Sequence, residues 1–249
     1  MFRPIASWMT RRAVAAASRR QGPDALHGLP AVCDICAAWP ARTFCDECVA
    51  RFARPQSRCA TCALPVPPGL STCGACLRLP PPLDTCVAAV RYGHPWDRPI
   101  AALKFRGQAG LAGALARLLL RADGAGAALA AADLVVPMPL SAARLRERGF
   151  NQAALLARPL APGRCDGATL LRIRDTPPLS GLTRAARQAQ VRGAFAVEPA
   201  RAARLAGRRV LLVDDVMTSG ATLHEAARAL RIAGAVSVSA LVFARTPLE

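Results

Sequence analysis

Aromatic residues make up only 4% of this 249-residue chain, histidine occurs three times, and 16 acidic residues stand against 33 basic ones. Lysine is rarer still: Lys104 is the sole one, so nearly all the positive charge is arginine. No apolar run reaches the roughly 18 residues of a membrane-spanning helix, because Arg117, Arg121 and Asp123 interrupt the longest candidate. The expectation is a soluble, cytoplasmic protein. His27, His94 and His224 belong to no Ser-His-Asp or Cys-His constellation, which argues against a protein nucleophile. A GxxxxGK[ST] loop is absent, and 124-GAGAAL-129 has no strand before it, so that stretch reads as a linker rather than a dinucleotide fingerprint. The shortage of aromatics also leaves little for stacking single-stranded bases.

What is abundant is positive charge. A net charge of +17 concentrates polyanions near the surface and favours nucleic acid, phosphorylated metabolites or anionic lipid as partners, without choosing among them. The first 28 residues are rich in Arg, Ala and Ser with one acid, Asp24. That composition fits an organelle transit peptide or an amphipathic N-terminal extension of a bacterial protein, and it lacks the apolar core of a secretion signal. A short helix around Ile5–Ala17, or a flexible basic extension over 1–28, is expected.

Cysteine divides the chain. Eight of its ten cysteines fall in two blocks, Cys33-x2-Cys36-x8-Cys45-x2-Cys48 and Cys59-x2-Cys62-x10-Cys73-x2-Cys76. Each CxxC places two thiolates on one tight turn, and two such turns supply a tetrahedral site of four sulfurs for Zn²⁺. A segment this short, with Trp39, Phe44, Phe52 and Leu64 among its few large apolar side chains, cannot hold together by burial alone. Disulfides would require an oxidising compartment, and one redox CxxC would not account for four of them. Two structural Zn²⁺ sites are therefore expected over 29–80; whether consecutive or interleaved motifs pair is left open. Cys86 and Cys165 stand apart as core or surface thiols.

After the link 79-LPPPLD-84, apolar strand-like runs alternate with helical spacing: 87–92, 133–139, 169–173, 194–197, 209–214 and 236–243 against Asp97–Phe105, Leu111–Leu120, Phe150–Ala157 and Ala221–Ala233. Such alternation predicts an α/β domain over 86–249 with a mostly parallel sheet flanked by helices. A polar basic loop occupies 174–192. Ligands of such sheets bind at the carboxyl ends of the strands.

The run 209-RVLLVDDVMTSGATLHEAARAL-230 is the most specific signal. A buried strand that ends in Asp214 and Asp215 delivers two carboxylates to the sheet edge, where they can accept hydrogen bonds from vicinal hydroxyls or hold Mg²⁺ through water. Thr218, Ser219, Gly220, Ala221 and Thr222 then form a turn whose N–H groups open a helix and favour an anion. The order is that of a ribose 5-phosphate: acids for the sugar, amides for the phosphate.

These residues carry a family resemblance. The segment 210-VLLVDDVMTSGAT-222 resembles the phosphoribosyl pyrophosphate motif of type I phosphoribosyltransferases. The chain over roughly 31–245 resembles the ComF family of competence and DNA-uptake proteins, through the paired CxxC motifs, 103-LKFRG-107, 134-LVVPMPL-140, 144-RLRERGFNQA-153 and 174-RDTPPLSGLTRAARQAQVRGAF-195. The resemblance implies a type I phosphoribosyltransferase fold behind a zinc-ribbon module. It also implies phosphoribosyl pyrophosphate bound with Mg²⁺ by Asp214, Asp215 and Thr218–Thr222, and a pyrophosphate loop at Pro137, Met138 and Pro139 presenting bare backbone amides. Lys104, Arg106, Arg144, Arg146, Arg148, Asn151, Arg184 and Arg187 become candidate phosphate or nucleic-acid contacts. A catalyst of this kind would displace pyrophosphate from ribose C1 with a nitrogen nucleophile under a mobile cover formed by 174–192. Ala186 and Gln190 stand where many relatives carry an acid and Asn. Two other roles fit the same motifs: a single-stranded DNA-handling accessory working with DNA-uptake proteins, and a non-catalytic sensor of the nucleotide precursor.

Overall fold

The computed structural model describes residues 31–176 and 184–247. The helix expected at Ile5–Ala17 and part of the 174–192 loop lie outside that range. From the first ribbon onward the helices are α1 (Asp46–Phe52), α2 (Gly74–Arg78), α3 (Asp97–Phe105), α4 (Leu111–Leu120), α5 (Ala125–Ala131), α6 (Ala142–Arg148), α7 (Gln152–Leu160), α8 (Arg184–Val191) and α9 (Ala221–Ile232). The strands are β1 (Cys86–Arg91), β2 (Leu134–Pro137), β3 (Leu170–Arg172), β4 (Phe195–Val197), β5 (Arg209–Met217) and β6 (Ser237–Arg245). Among the described residues, no helix is long and apolar enough to cross a membrane.

Four strands form a parallel sheet in the order β1-β6-β5-β2. The continuous apolar run of β5 follows from its central position, because both faces of the sheet are covered. Leu211, Val213, Leu241 and Phe243 enter one core with Leu103 of α3, Leu115 and Leu119 of α4 and Leu156 of α7. Val210, Leu212, Ala240 and Val242 enter the other with Leu223, Ala226 and Leu230 of α9. Each fully buried Leu or Phe contributes roughly 1.5–3 kcal/mol.

The cysteine ribbons divide between the same two faces. Phe44 and Val49 of the first ribbon join the α3–α4 side. There Trp96 packs edge-on between Phe44 and Phe243, with ring centroids 5.3 and 5.8 Å apart, and donates its indole N–H to the Phe52 carbonyl at 2.9 Å. Cys59, Cys62 and Leu64 of the second ribbon join the α9 side.

Several local expectations are corrected. The strand expected to stop at Asp214 continues to Met217, because β6 keeps pairing with β5 after β2 ends opposite Val213. The Gly/Ala stretch read as a linker is a left-handed Gly124 followed by α5, with Arg164 donating to the Leu129 and Ala132 carbonyls at the helix end. The basic loop contains α8. The strands β3 and β4 pair antiparallel with each other, outside the main sheet.

Candidate functional site

The cysteines resolve into two clusters of consecutive motifs, Cys33/Cys36/Cys45/Cys48 and Cys59/Cys62/Cys73/Cys76, with all sulfurs of a cluster within 4.8 Å of one another. Tetrahedral Zn–S bonds of about 2.3 Å would separate the sulfurs by about 3.8 Å, so the clusters have the size of four-sulfur zinc sites. Their titration agrees. Burial raises the Cys33 and Cys59 thiols, but backbone N–H donors from Cys36, Cys45 and Ile35 to one and from Cys73, Thr61 and Cys62 to the other outweigh it, leaving both at about 6. Burial and then the neighbouring sulfurs push Cys48 and Cys76 well above the usual thiol range. A cluster in which the first thiolate forms readily and the last is suppressed by its neighbours is one that a divalent cation would relieve.

At the carboxyl edge of the sheet, β5 outruns β2, so Asp214 and Asp215 lie beyond Pro137 while β5 is still paired with β6. Successive strand residues face opposite ways. Asp215 follows Leu211 and Val213 onto the α3 side, where Lys104 Nζ meets its Oδ1 at 3.0 Å. Asp215 is only 3% exposed, and its second oxygen, Oδ2, is buried without a hydrogen-bond partner. Asp214 accepts the Asp215 N–H at 2.9 Å. Burial, and then the charge of Asp215, push its carboxyl up to about 8, against the opposing pull of Lys104.

The turn that follows is preset by Gly220, whose φ is +82°. A Cβ there would lie 2.5 Å from the Met217 methyl and 2.9 Å from both Cε1 and Nε2 of His224. Among the described residues, the N–H groups of Thr218, Ser219, Gly220 and Thr222 have no backbone acceptor, and that of Ala221 reaches the Ser219 hydroxyl at 3.4 Å. These are the orphan donors of a helix start. Gly220→Ala should therefore destabilise the protein by roughly 1–3 kcal/mol. Gly126→Ala, in α5 with nothing within 4 Å, should instead be neutral or stabilising by up to about 1 kcal/mol. Chemical denaturation of the two variants checks this.

The remaining expected residues separate. Arg148 lies over the Phe105 ring at 5.2 Å and donates to Gln152 Oε1 at 2.6 Å. Burial lowers its pKa, while Asp215 and Asp214 raise it, so its charge feels both acids. Arg144 Nη2 reaches the Thr176 carbonyl at 3.4 Å, Arg146 is exposed, and Arg106 turns back to the Arg98 carbonyl at 3.3 Å. Asn151 serves the backbone: its Oδ1 caps α7 and its Nδ2 donates to the Met138 carbonyl at 3.0 Å. Arg184 and Arg187 stand on α8, which packs against α9.

One expectation fails on geometry. Pro137 and Pro139 have no N–H, and the Met138 N–H donates to the Val213 carbonyl at 2.9 Å. These three positions offer no bare amide for a diphosphate.

Sequence reasoning missed three residues. Phe105, 74% exposed at the end of α3, carries the Arg148 guanidinium over its ring. Arg172, on β3, feels the charge of Asp214 and leans over Phe195. Arg245, buried at the end of β6, bonds to the carbonyls of Met217 and Thr218. Phe105 lies inside 103-LKFRG-107, whereas the two arginines come from elements with no motif of their own and only a basic residue near a strand end could have hinted at them.

A parallel sheet with a carboxylate pair and an amide-lined turn at its carboxyl edge defines the class: a phosphoribosyltransferase-type α/β domain carrying two four-cysteine ribbons. Residues 147–248 match the family model described as "Phosphoribosyl transferase domain". The chain is 33% identical over 231 residues to the DNA utilization protein YhgH of Salmonella typhimurium, covering 88% of this chain and 98% of the relative. Its match to YhgH of Escherichia coli K12 is 32% over 212 residues, covering 81% and 90%. Competence protein ComFC of Bacillus subtilis is 35% identical over 121 residues, 45% of each chain. The chain belongs to the ComF family.

Proposed function

We propose that this protein binds phosphoribosyl pyrophosphate, or a related ribose 5-phosphate, together with Mg²⁺, and that it serves DNA utilisation of the kind its relatives are named for. The observation that carries the reading is the spacing of two chemistries on one strand end: Asp214 and Asp215, then, after Val216 and Met217, the N–H groups of Thr218–Thr222 that lack backbone acceptors. The acids suit vicinal ribose hydroxyls and hydrated Mg²⁺; the turn suits a phosphate dianion. Arg148 and Lys104 stand beside the acids, where a pyrophosphate group would need cationic partners. Bound Mg²⁺ would neutralise the diphosphate as a leaving group.

If a transfer reaction follows, this chain's residues would hold the ribose by its hydroxyls and the phosphate by the turn, leaving C1 open to a nitrogen nucleophile. Calorimetry of the wild-type protein with phosphoribosyl pyrophosphate and Mg²⁺ tests the reading. Saturable binding is expected, and its absence removes both the enzyme and the sensor roles.

Direct handling of single-stranded DNA is the second reading, supported by a groove of about 880 Å³ that Arg158, Arg164, Arg201 and Arg204 line together with Phe150. Asp166 offsets part of this charge by pairing with Arg201 and Arg204 at 2.9 and 3.3 Å. Fluorescence anisotropy with a labelled single strand should show affinity that falls steeply with salt. No binding even at low salt would confine the DNA role to protein partners.

A further inference from the structure

Arg245 is 3% exposed, and its guanidinium reaches backbone carbonyls on two distant segments and on its own neighbour Thr246. Nε donates to the Cys62 carbonyl at 2.7 Å, and Nη1 to the carbonyls of Met217 at 3.0 Å, of Thr246 at 2.7 Å and of Thr218. One guanidinium therefore joins a residue of the second cysteine cluster to the two residues that open the phosphate turn. Ribbon and turn also share a small cleft, lined by Cys62, Leu64, Cys73, Met217, Ser219 and Arg245. A second strand of contacts runs parallel to it. The Cys86 thiol donates to Met217 Sδ at 3.6 Å, the Cys86 N–H donates to the Ala60 carbonyl at 2.7 Å, and the Met217 methyl fills the space that a Cβ on Gly220 would need.

We infer that Arg245 is a positioning residue that couples metal occupancy of the Cys59/Cys62/Cys73/Cys76 cluster to phosphate binding by Thr218–Thr222. This rests on the ribose-phosphate reading of the turn. A buried guanidinium is held in one geometry only while its acceptors are fixed, and nearby negative charge steadies it further. Four thiolates around Zn²⁺ carry a formal charge of about −2. The loaded cluster thus acts in both ways: it fixes the Cys62–Leu64 turn, and with it the Cys62 carbonyl, and it attracts the Arg245 cation. Arg245 in turn holds the Met217 and Thr218 carbonyls, which orients the following N–H groups toward a phosphate. Without the metal nothing ties Cys62 to the other three sulfurs, and its carbonyl is no longer anchored under the Arg245 guanidinium. The first ribbon faces elsewhere: it contacts α3, α4 and the segment between β1 and α3 through Phe44, Phe52 and Asp46. Coupling is reciprocal, so phosphate binding must also tighten the second cluster.

The test is the rate at which iodoacetamide alkylates individual cysteines of the zinc-loaded protein under a chelator, mapped by peptide mass spectrometry, with and without phosphoribosyl pyrophosphate and Mg²⁺. The ligand should slow alkylation of Cys62, Cys73 and Cys76 by about 5-fold or more, the range of ordinary allosteric coupling, and leave Cys36 and Cys45 unchanged. Equal protection of both clusters, or none, overturns the inference. Arg245→Lys, still holding two zinc ions, should lose the selective protection and bind the ligand about 10-fold more weakly; retained protection overturns it. If Arg245→Lys does not fold, the wild-type comparison decides alone. If the wild type binds no phosphoribosyl pyrophosphate, the ligand reading has failed by itself. Amide exchange of residues 217–222, measured with and without zinc, then still decides the coupling: faster exchange in the zinc-free protein upholds it, and unchanged exchange refutes it.

Discussion

Asp214→Asn/Asp215→Asn protein is expected to show no measurable affinity for phosphoribosyl pyrophosphate with Mg²⁺, while Asp214→Asn alone should be more stable than wild type at alkaline pH. The first result follows from the loss of both carboxylates, the second from the raised carboxyl of Asp214, pushed by burial and then by Asp215 to about 8. In the unfolded chain the same group titrates near 3.8, so the folded state binds the extra proton between those values. Its favourable contribution is fully present below the unfolded pKa and is lost as pH rises through about 8. Asn carries no such titration. The variant should gain on the order of 5 kcal/mol relative to wild type at pH 9, and close to nothing below pH 4. At roughly 2–4 °C per kcal/mol for a chain of this size, thermal melts across that range resolve the difference.

The same proton opposes the ligand. A cation arriving at Asp214 must displace it, so binding should strengthen as pH rises from 6 to 8 and should release roughly one proton, measurable by calorimetry in buffers of different ionisation enthalpy. Asp215→Asn behaves differently, since it strips Lys104 of its partner and should destabilise the protein at neutral pH. A stable Asp214 variant without binding, beside an unstable Asp215 variant, would separate a functional carboxylate from a structural one. Binding that survives the double substitution would end the ribose-phosphate reading.

Removing zinc should have the larger structural effect. The ribbons bury few large side chains, Phe44 and Leu64 among them, and the two clusters contain eight of their residues. Structural zinc supplies roughly 10–16 kcal/mol of apparent binding free energy per site, which exceeds any stability that burial on this scale could give these segments without it. Metal analysis should find about two zinc ions per chain. Cys48→Ser should unfold the first ribbon and expose Trp96, whose indole N–H is held by the Phe52 carbonyl and whose ring packs on Phe44. A red shift of tryptophan emission reports that exposure. Cys76→Ser should instead loosen the turn at Thr218 and leave Trp96 buried. Full retention of structure after complete zinc removal would refute the ribbon assignment.

The ends of α3 and α4 were readable to the residue, because each is a run of regular apolar spacing bounded by breakers. The short polar helices α6 and α8 were not. Their residues, AARLRER and RAARQAQV, hold one large apolar side chain each, Leu145 and Val191, and tertiary neighbours settle their state. The end of β5 was misplaced because a double aspartate looks like a strand terminus, whereas pairing with β6 continues beneath it. Two of the three amides assigned to the Pro137–Pro139 loop were already excluded by proline, and only the third, the Met138 N–H that donates to Val213, depended on a neighbouring strand.

Local chemistry written into consecutive residues was determined by the sequence itself: thiols in CxxC pairs, a buried strand carrying two acids, and a glycine turn opening a helix. A few neighbouring positions suffice to specify each of these. Which elements touch was decided only by the tertiary structure. It paired the cysteine motifs consecutively, set Lys104 against Asp215, put Arg172 and Arg148 within the field of the acids, and ran Arg245 from the second ribbon to the turn at Thr218. Those partners lie from tens to nearly two hundred residues apart in the chain, and what joins them is the burial of a sheet on both faces, which leaves no signature in local spacing.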